Sequence, residues 1–164
     1  MFGFRKNSVS RLQIGQDILN ALASTYQTIE ELVDDSGTNV PEETAALIYV
    51  IGWFAVQTSD LDANSKHILS VTLIDSVRQQ YLNHVSGMSL ANFLQSRMVA
   101  YRDAINSVEA KQAPLAIAFR FLRYVSLDPR ENPAAMSGVA LSASGSLEAI
   151  AEYVNGLSRD YNIV

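Results

Sequence analysis

From Ala45 to Val56 the chain reads Ala-Ala-Leu-Ile-Tyr-Val-Ile-Gly-Trp-Phe-Ala-Val, with no charge anywhere in it. Only Tyr49 and Trp53 carry a hydrogen-bonding group there. Pro41, Glu42 and Glu43 open the stretch, and Asp60 and Asp62 follow it. Proline in a first turn and acids near an N-terminus are helix-start signals. A helix that is apolar all round must be covered by protein or by lipid. Twelve residues rise only about 18 Å, whereas a bilayer core needs about 30 Å. The stretch therefore predicts a buried central helix over about residues 41–58 rather than a membrane span.

A central helix needs others around it, and the flanking periodicity supplies them. Leu12, Gly15, Leu19, Leu22, Tyr26, Ile29 and Val33 recur at spacings of three and four, widened by Ile18 and Leu32. That is one side of a long helix over about Val9 to Asp34. A loop at Asp34–Asn39 follows, with Gly37 as the stop. Ile68, Val71, Ile74, Val77 and Tyr81 mark a helix from Ser65 to Val85. Leu90, Phe93, Leu94, Met98, Tyr101 and Ile105 mark another from Ser89 to Ser107. Pro114 opens a helix over Leu115–Leu127, with Leu115, Phe119, Leu122 and Val125 inward. Asp128-Pro129-Arg130-Glu131 reads as a short capped turn. Pro133 starts a helix to Leu141, the small residues Ser142–Ser146 form a flexible link, and Leu147–Arg159 is a last helix. No segment alternates with the period of two that a strand requires. The expected fold is all-α: a single-domain array of about six helices around the central one, with residues 1–8 a mobile segment. At 164 residues the chain is long enough for such a core.

Composition excludes several chemistries. Cysteine is absent, which removes disulfides, thiolate nucleophiles and Cys-ligated metals. A net charge of −5 disfavours sequence-independent nucleic-acid binding, which needs Lys and Arg over phosphate. His67 and His84 are the only histidines. On one unbroken helix they stand roughly 25 Å apart, too far to share a metal ion. Asp60-x-Asp62-x-Asn64 imitates the start of an EF-hand loop, but Ser65 replaces its glycine and Val71 its bidentate glutamate. Helix capping explains the same residues. No Gly-x-Ser-x-Gly, Walker loop or Gly-x-Gly-x-x-Gly occurs. Neither a catalytic activity, a cofactor nor a metal is expected. The N-terminal Met-Phe-Gly-Phe-Arg-Lys-Asn-Ser lacks the apolar run of a signal peptide, so a cytoplasmic protein is expected.

Charged clusters are the remaining candidates. Glu30, Glu31, Asp34, Asp35, Glu42 and Glu43 follow one another without an intervening Lys or Arg. They read as a solvated acidic corner, or as a docking surface for a basic partner. Arg120 and Arg123 lie three apart on one helix, and read as solvated or as a carboxylate- or phosphate-binding pair. By elimination the expected function is that of a small interaction protein, an adaptor, inhibitor or immunity-like chain. The alternative is a helical sensor or carrier with an apolar small molecule between helices, lined by Tyr49, Trp53, Phe54, Met98 and Phe119. A third reading, an enzyme, would show a polar cleft pairing His67 or His84 with a carboxylate. The leucine stripe of the first helix fits packing within the chain, and any part that overhangs the array suggests an antiparallel homodimer, which would bring Glu30–Asp35 toward Arg5, Lys6 and Arg11 of the second copy.

Overall fold

The structure is a computed structural model that describes residues 7–33, 36–85 and 87–163. Six helices follow in order: α1 (Arg11–Val33), α2 (Val40–Thr58), α3 (Ala63–Tyr81), α4 (Gly87–Asn106), α5 (Ala113–Tyr124) and α6 (Pro133–Asp160). Two three-residue strands, β1 (Asn7–Val9) and β2 (Tyr161–Ile163), pair in parallel with Asn7 against Tyr161 and Val9 against Ile163. The expected mobile segment, residues 1–8, lies mostly outside the described residues, and its described end belongs to β1. Among the described residues no helix is long and apolar enough to cross a membrane.

The apolar run becomes α2, and the other five helices all pack on it. From Glu43 to Gly52 every residue is buried. Burial loosens at the last turns, where Trp53 and Phe54 are half-buried and meet edge to face at 5.1 Å between ring centroids. Gly52 sets the spacing at the middle. A Cβ there would lie 2.6 Å from a methyl of Leu73 on α3 and 3.0 Å from one of Leu22 on α1. Both leucines are fully buried and have nowhere to retreat. Overpacking a core costs about 1–3 kcal/mol, while leaving glycine in a helix regains only about 0.5 kcal/mol for valine. Gly52→Val is therefore expected to lower the urea midpoint at unchanged m-value. An unchanged midpoint would mean that α1 and α3 stand farther off.

Capping starts two helices, of which the sequence indicates the second. Ser10 Oγ accepts from the Gln13 amide at the start of α1. Asp62 accepts from the Ser65 amide at 3.0 Å and the Ser65 hydroxyl at 2.6 Å. These two bonds hold the Asp62 carboxyl below its usual range. Asp62 is thus engaged as the cap of α3, and Asp60 offers its amide to Asn155 Oδ1 on α6. At the foot of α5, Asp128 forms the capped turn, its carboxylate accepting from the Arg130 amide.

One expectation, packing of the α1 stripe within the chain, is met, and those for α3, α5 and α6 need correction. The stripe of α1 lies inside the chain: Ile14, Gly15, Ile18, Leu19, Leu22, Ile29 and Val33 are buried against α2, α3 and α6, and only Leu12 stands out. A seam for a second copy and a seam for neighbours in the same chain have one pattern, and here α3 and α6 occupy it. In α3 the buried face is Leu69, Leu73 and Val77, while Val71 is exposed and Ile68 and Ile74 are partly covered. α3 also ends at Tyr81, so His84 lies in the turn beyond it.

α5 meets expectation at Leu122 and Val125, which are buried, and departs from it at Leu115 and Phe119. Ile117, Ala118, Phe121 and Leu122 face the core, and Leu115 and Phe119 face outward. The helix carries two apolar stripes, and Phe121 with Ile117 claims the interior. Finally, α6 runs unbroken through Ser142–Ser146. Packing overrides weak propensity there. Ala143 is buried, the Ser146 and Thr25 hydroxyls meet at 2.5 Å, and Gly138 lets the Leu32 side chain approach where a Cβ would stand at 2.7 Å.

Candidate functional site

The acidic run is divided among different tasks. Glu43, on the first turn of α2, is buried and receives a bidentate grip from Arg97 of α4. Nε donates to Oε2 at 2.6 Å and a terminal nitrogen to Oε1 at 2.5 Å. The Arg97 guanidinium lies over the Tyr124 ring at 3.8 Å from its centroid and over Phe93 at 4.9 Å. Bonding to Glu43 raises the Arg97 pKa further above its ordinary value, so the guanidinium stays charged. Tyr101, one turn on, is fully buried, packs edge-on to Tyr124 at 6.0 Å, and its hydroxyl has no partner among the described residues. This cluster ties α2, α4 and α5 together. The sequence carries its signal: Arg97 stands in the apolar stripe of α4, four residues after Phe93 and four before Tyr101.

Glu42 contacts His84 Nε2 at 3.0 Å, which is the histidine–carboxylate pairing of the enzyme reading. His84 is exposed and Glu42 partly so, at 55% and 33% of their side chains. His67 is exposed on α3. Glu30 is half-buried and accepts from the Tyr26 hydroxyl at 2.8 Å, and Tyr26 stacks on Tyr81 at 4.3 Å. Glu31 faces solvent, and Asp34 and Asp35 lie outside the described residues. Among the described residues no group of three or more His, Asp or Glu side chains is placed to hold a metal ion.

The five aromatic and apolar residues expected to line one pocket are dispersed. Tyr49 is buried in the core, and Trp53 and Met98 are half-buried beside it. Phe54 borders a cleft of about 380 Å³ between α2, α4, α5 and α6. Phe119 borders a different groove with Leu115, Met136 and Arg120. A further small groove, shaped by Leu115, Ala140 and Leu141, adjoins it, and a fourth, polar one is formed by Asp75, Arg78, Gln79 and Asn83.

The two grooves that share Leu115 form one outward surface on α5 and the first half of α6. Six large apolar side chains are exposed among the described residues: Leu12, Val71, Leu115, Phe119, Leu141 and Tyr161. Three of them, Leu115 at 46%, Phe119 at 43% and Leu141 at 75%, stand on this one surface. Scattered single apolar residues are ordinary, but a contiguous group is not. Arg120 and Arg123 are both exposed, and Arg120 borders the groove beside Phe119. Comparison with protein-family models, with curated proteins and with solved structures finds no match to this chain.

Proposed function

We propose that this chain is a cytoplasmic helical interaction protein, of the adaptor, inhibitor or immunity kind, that docks through the α5–α6 surface. The observation that carries this reading is the clustering of Leu115, Phe119 and Leu141 on adjoining helices. Apolar area left in water on two neighbouring helices is what an interface covers. Arg120 and Arg123 beside it favour a partner segment that combines apolar anchors with carboxylates, in a chain whose own charge is −5. The acidic corner supports docking less well. Glu30, Glu42 and Glu43 are each engaged within the chain by Tyr26, His84 and Arg97. A homodimer through the stripe of α1 has the same weakness, because that stripe is already covered.

A photo-cross-linking amino acid at position 141 tests the reading in cells, with the same group at exposed position 12 as the control. A discrete adduct is expected at 141 and not at 12. Phe119→Asp should weaken the complex by at least about ten-fold while moving stability by no more than about 0.5 kcal/mol. Equal adducts at both positions, or a complex untouched by Phe119→Asp, would remove this surface from consideration.

A further inference from the structure

The cleft beside Phe54 adjoins the docking surface, sharing Pro114 and Ser144 with its smaller groove, but has a different character. Its floor is Leu47, Val50 and Ile51 of α2 with Ile117 of α5, all buried. Its walls are Ile105, Ala113, Pro114, Ala143 and Leu147. At about 380 Å³ it falls within the roughly 300–1,000 Å³ of small-molecule sites, and between helices is where bundles place them. Polar groups stand at its edge: the Thr58 and Ser144 hydroxyls and the exposed carboxylate of Glu148. Glu148 is the one charged residue in the lining. Its neighbour in the chain, one turn back, is Ser144, whose hydroxyl lies 3.5 Å from Oε1. Among the described residues Glu148 makes no ion pair, whereas Lys111, next to the lining residue Ala110, is taken by Glu109 at 2.9 Å.

We propose that this cleft binds a cationic amphiphile, a medium-length alkyl chain ending in an ammonium group, with the chain on Leu47, Val50 and Ile51 and the ammonium at Glu148. The apolar depth selects the chain, because each methylene moved from water into such a site is worth about 0.8 kcal/mol. The carboxylate selects the head, because it attracts an ammonium, tolerates a hydroxyl and repels a second carboxylate.

Octylamine, octanol and octanoate at neutral pH form the test. Binding is read by thermal shift and by the emission of Trp53, the single tryptophan, which touches Phe54 at the cleft wall. Saturable binding is expected in the order octylamine, octanol, octanoate. An exposed ion pair separates the first two by no more than about five-fold. Glu148→Gln should abolish the preference for octylamine over octanol while octanol still binds. Ala113→Phe, which projects a ring into the cleft from its rim, should remove all three. If that variant does not fold, Ala110→Phe, from an exposed position, serves the same purpose. Failure of both octylamine and octanol to saturate overturns the proposal. So does binding that survives the filled cleft, or an octylamine preference that survives Glu148→Gln.

Discussion

Replacing Arg97 by alanine should lower stability by about 3–5 kcal/mol, a large share of the roughly 5–15 kcal/mol of an ordinary domain. The cost is not the value of the ion pair itself. It comes from leaving the Glu43 carboxylate, whose side chain is only 5% exposed, without its partner in a site of low dielectric. Lysine should rescue little, because a point charge cannot match the two-pronged geometry or lie flat on Tyr124. The double substitution Glu43→Leu with Arg97→Met makes the sharper comparison. Removing both charges together should recover most of the loss, since a buried pair replaced by apolar groups of similar size is often neutral. Denaturant curves for the three variants decide the matter. If Arg97→Ala costs less than about 1 kcal/mol, Glu43 has access to water.

Alkaline solution should unfold the protein from the tyrosines outward. Burial pushes the Tyr101 hydroxyl well above its usual range, with the Glu43 charge adding to the effect. Tyr49 is raised by burial, as are Tyr26 and Tyr81, where Glu30 adds to it, and Tyr153, whose hydroxyl donates to Asp17 on α1 at 2.5 Å. In each case the folded chain favours the protonated phenol. Its contribution is therefore complete below the unfolded value of about 10 and is lost as pH rises beyond it. For Tyr101, fully buried, the loss runs at about 1.4 kcal/mol per pH unit. Tyrosinate absorbance should appear together with the loss of helical circular dichroism. Tyr101→Phe should move that transition to higher pH. Tyrosines that all titrate near pH 10 with the helices intact would contradict the burial of Tyr101.

How much of this was legible in the sequence depends on how many solutions each segment allowed. α2 had one: an uncharged run with an acidic, proline-marked start fits only a central helix. α1 was readable as a helix but not as to its neighbours, because Leu19 and Leu22 would pack equally well on a second copy. α5 offered two apolar sides, and spacing alone could not rank Leu115 and Phe119 against Ile117 and Phe121. That ambiguity hid the exposure of Leu115 and Phe119, which were assigned inward with Leu122 and Val125 although only the latter two are buried. The link expected at Ser142–Ser146 failed for another reason. Serine and glycine are poor helix formers in isolation, yet Ala143 is buried there and Ser146 meets Thr25 of α1, which holds the segment within α6. Arg97 was visible as a charge within an apolar stripe, and its partner was not, because Glu43 belongs to a different helix 54 residues away. The cleft beside Phe54 depends on four helices meeting, which no single segment encodes.

The position of α2 in the fold has a consequence for the chain while it is being made. α2 leaves the ribosome well before α6, one of the helices that cover it. About a hundred residues separate Thr58 from Asp160. At about 5–20 residues per second, that leaves the Ala45–Val56 segment incompletely covered for about 5–20 s in every round of synthesis. An uncharged run rich in valine, isoleucine and aromatic residues is, for that interval, the stretch of the nascent chain most prone to associate with its counterparts on neighbouring ribosomes. Newly made chains thus depend on α6 arriving promptly, and a pause in translation before Pro133 would be more damaging than one after Asp160.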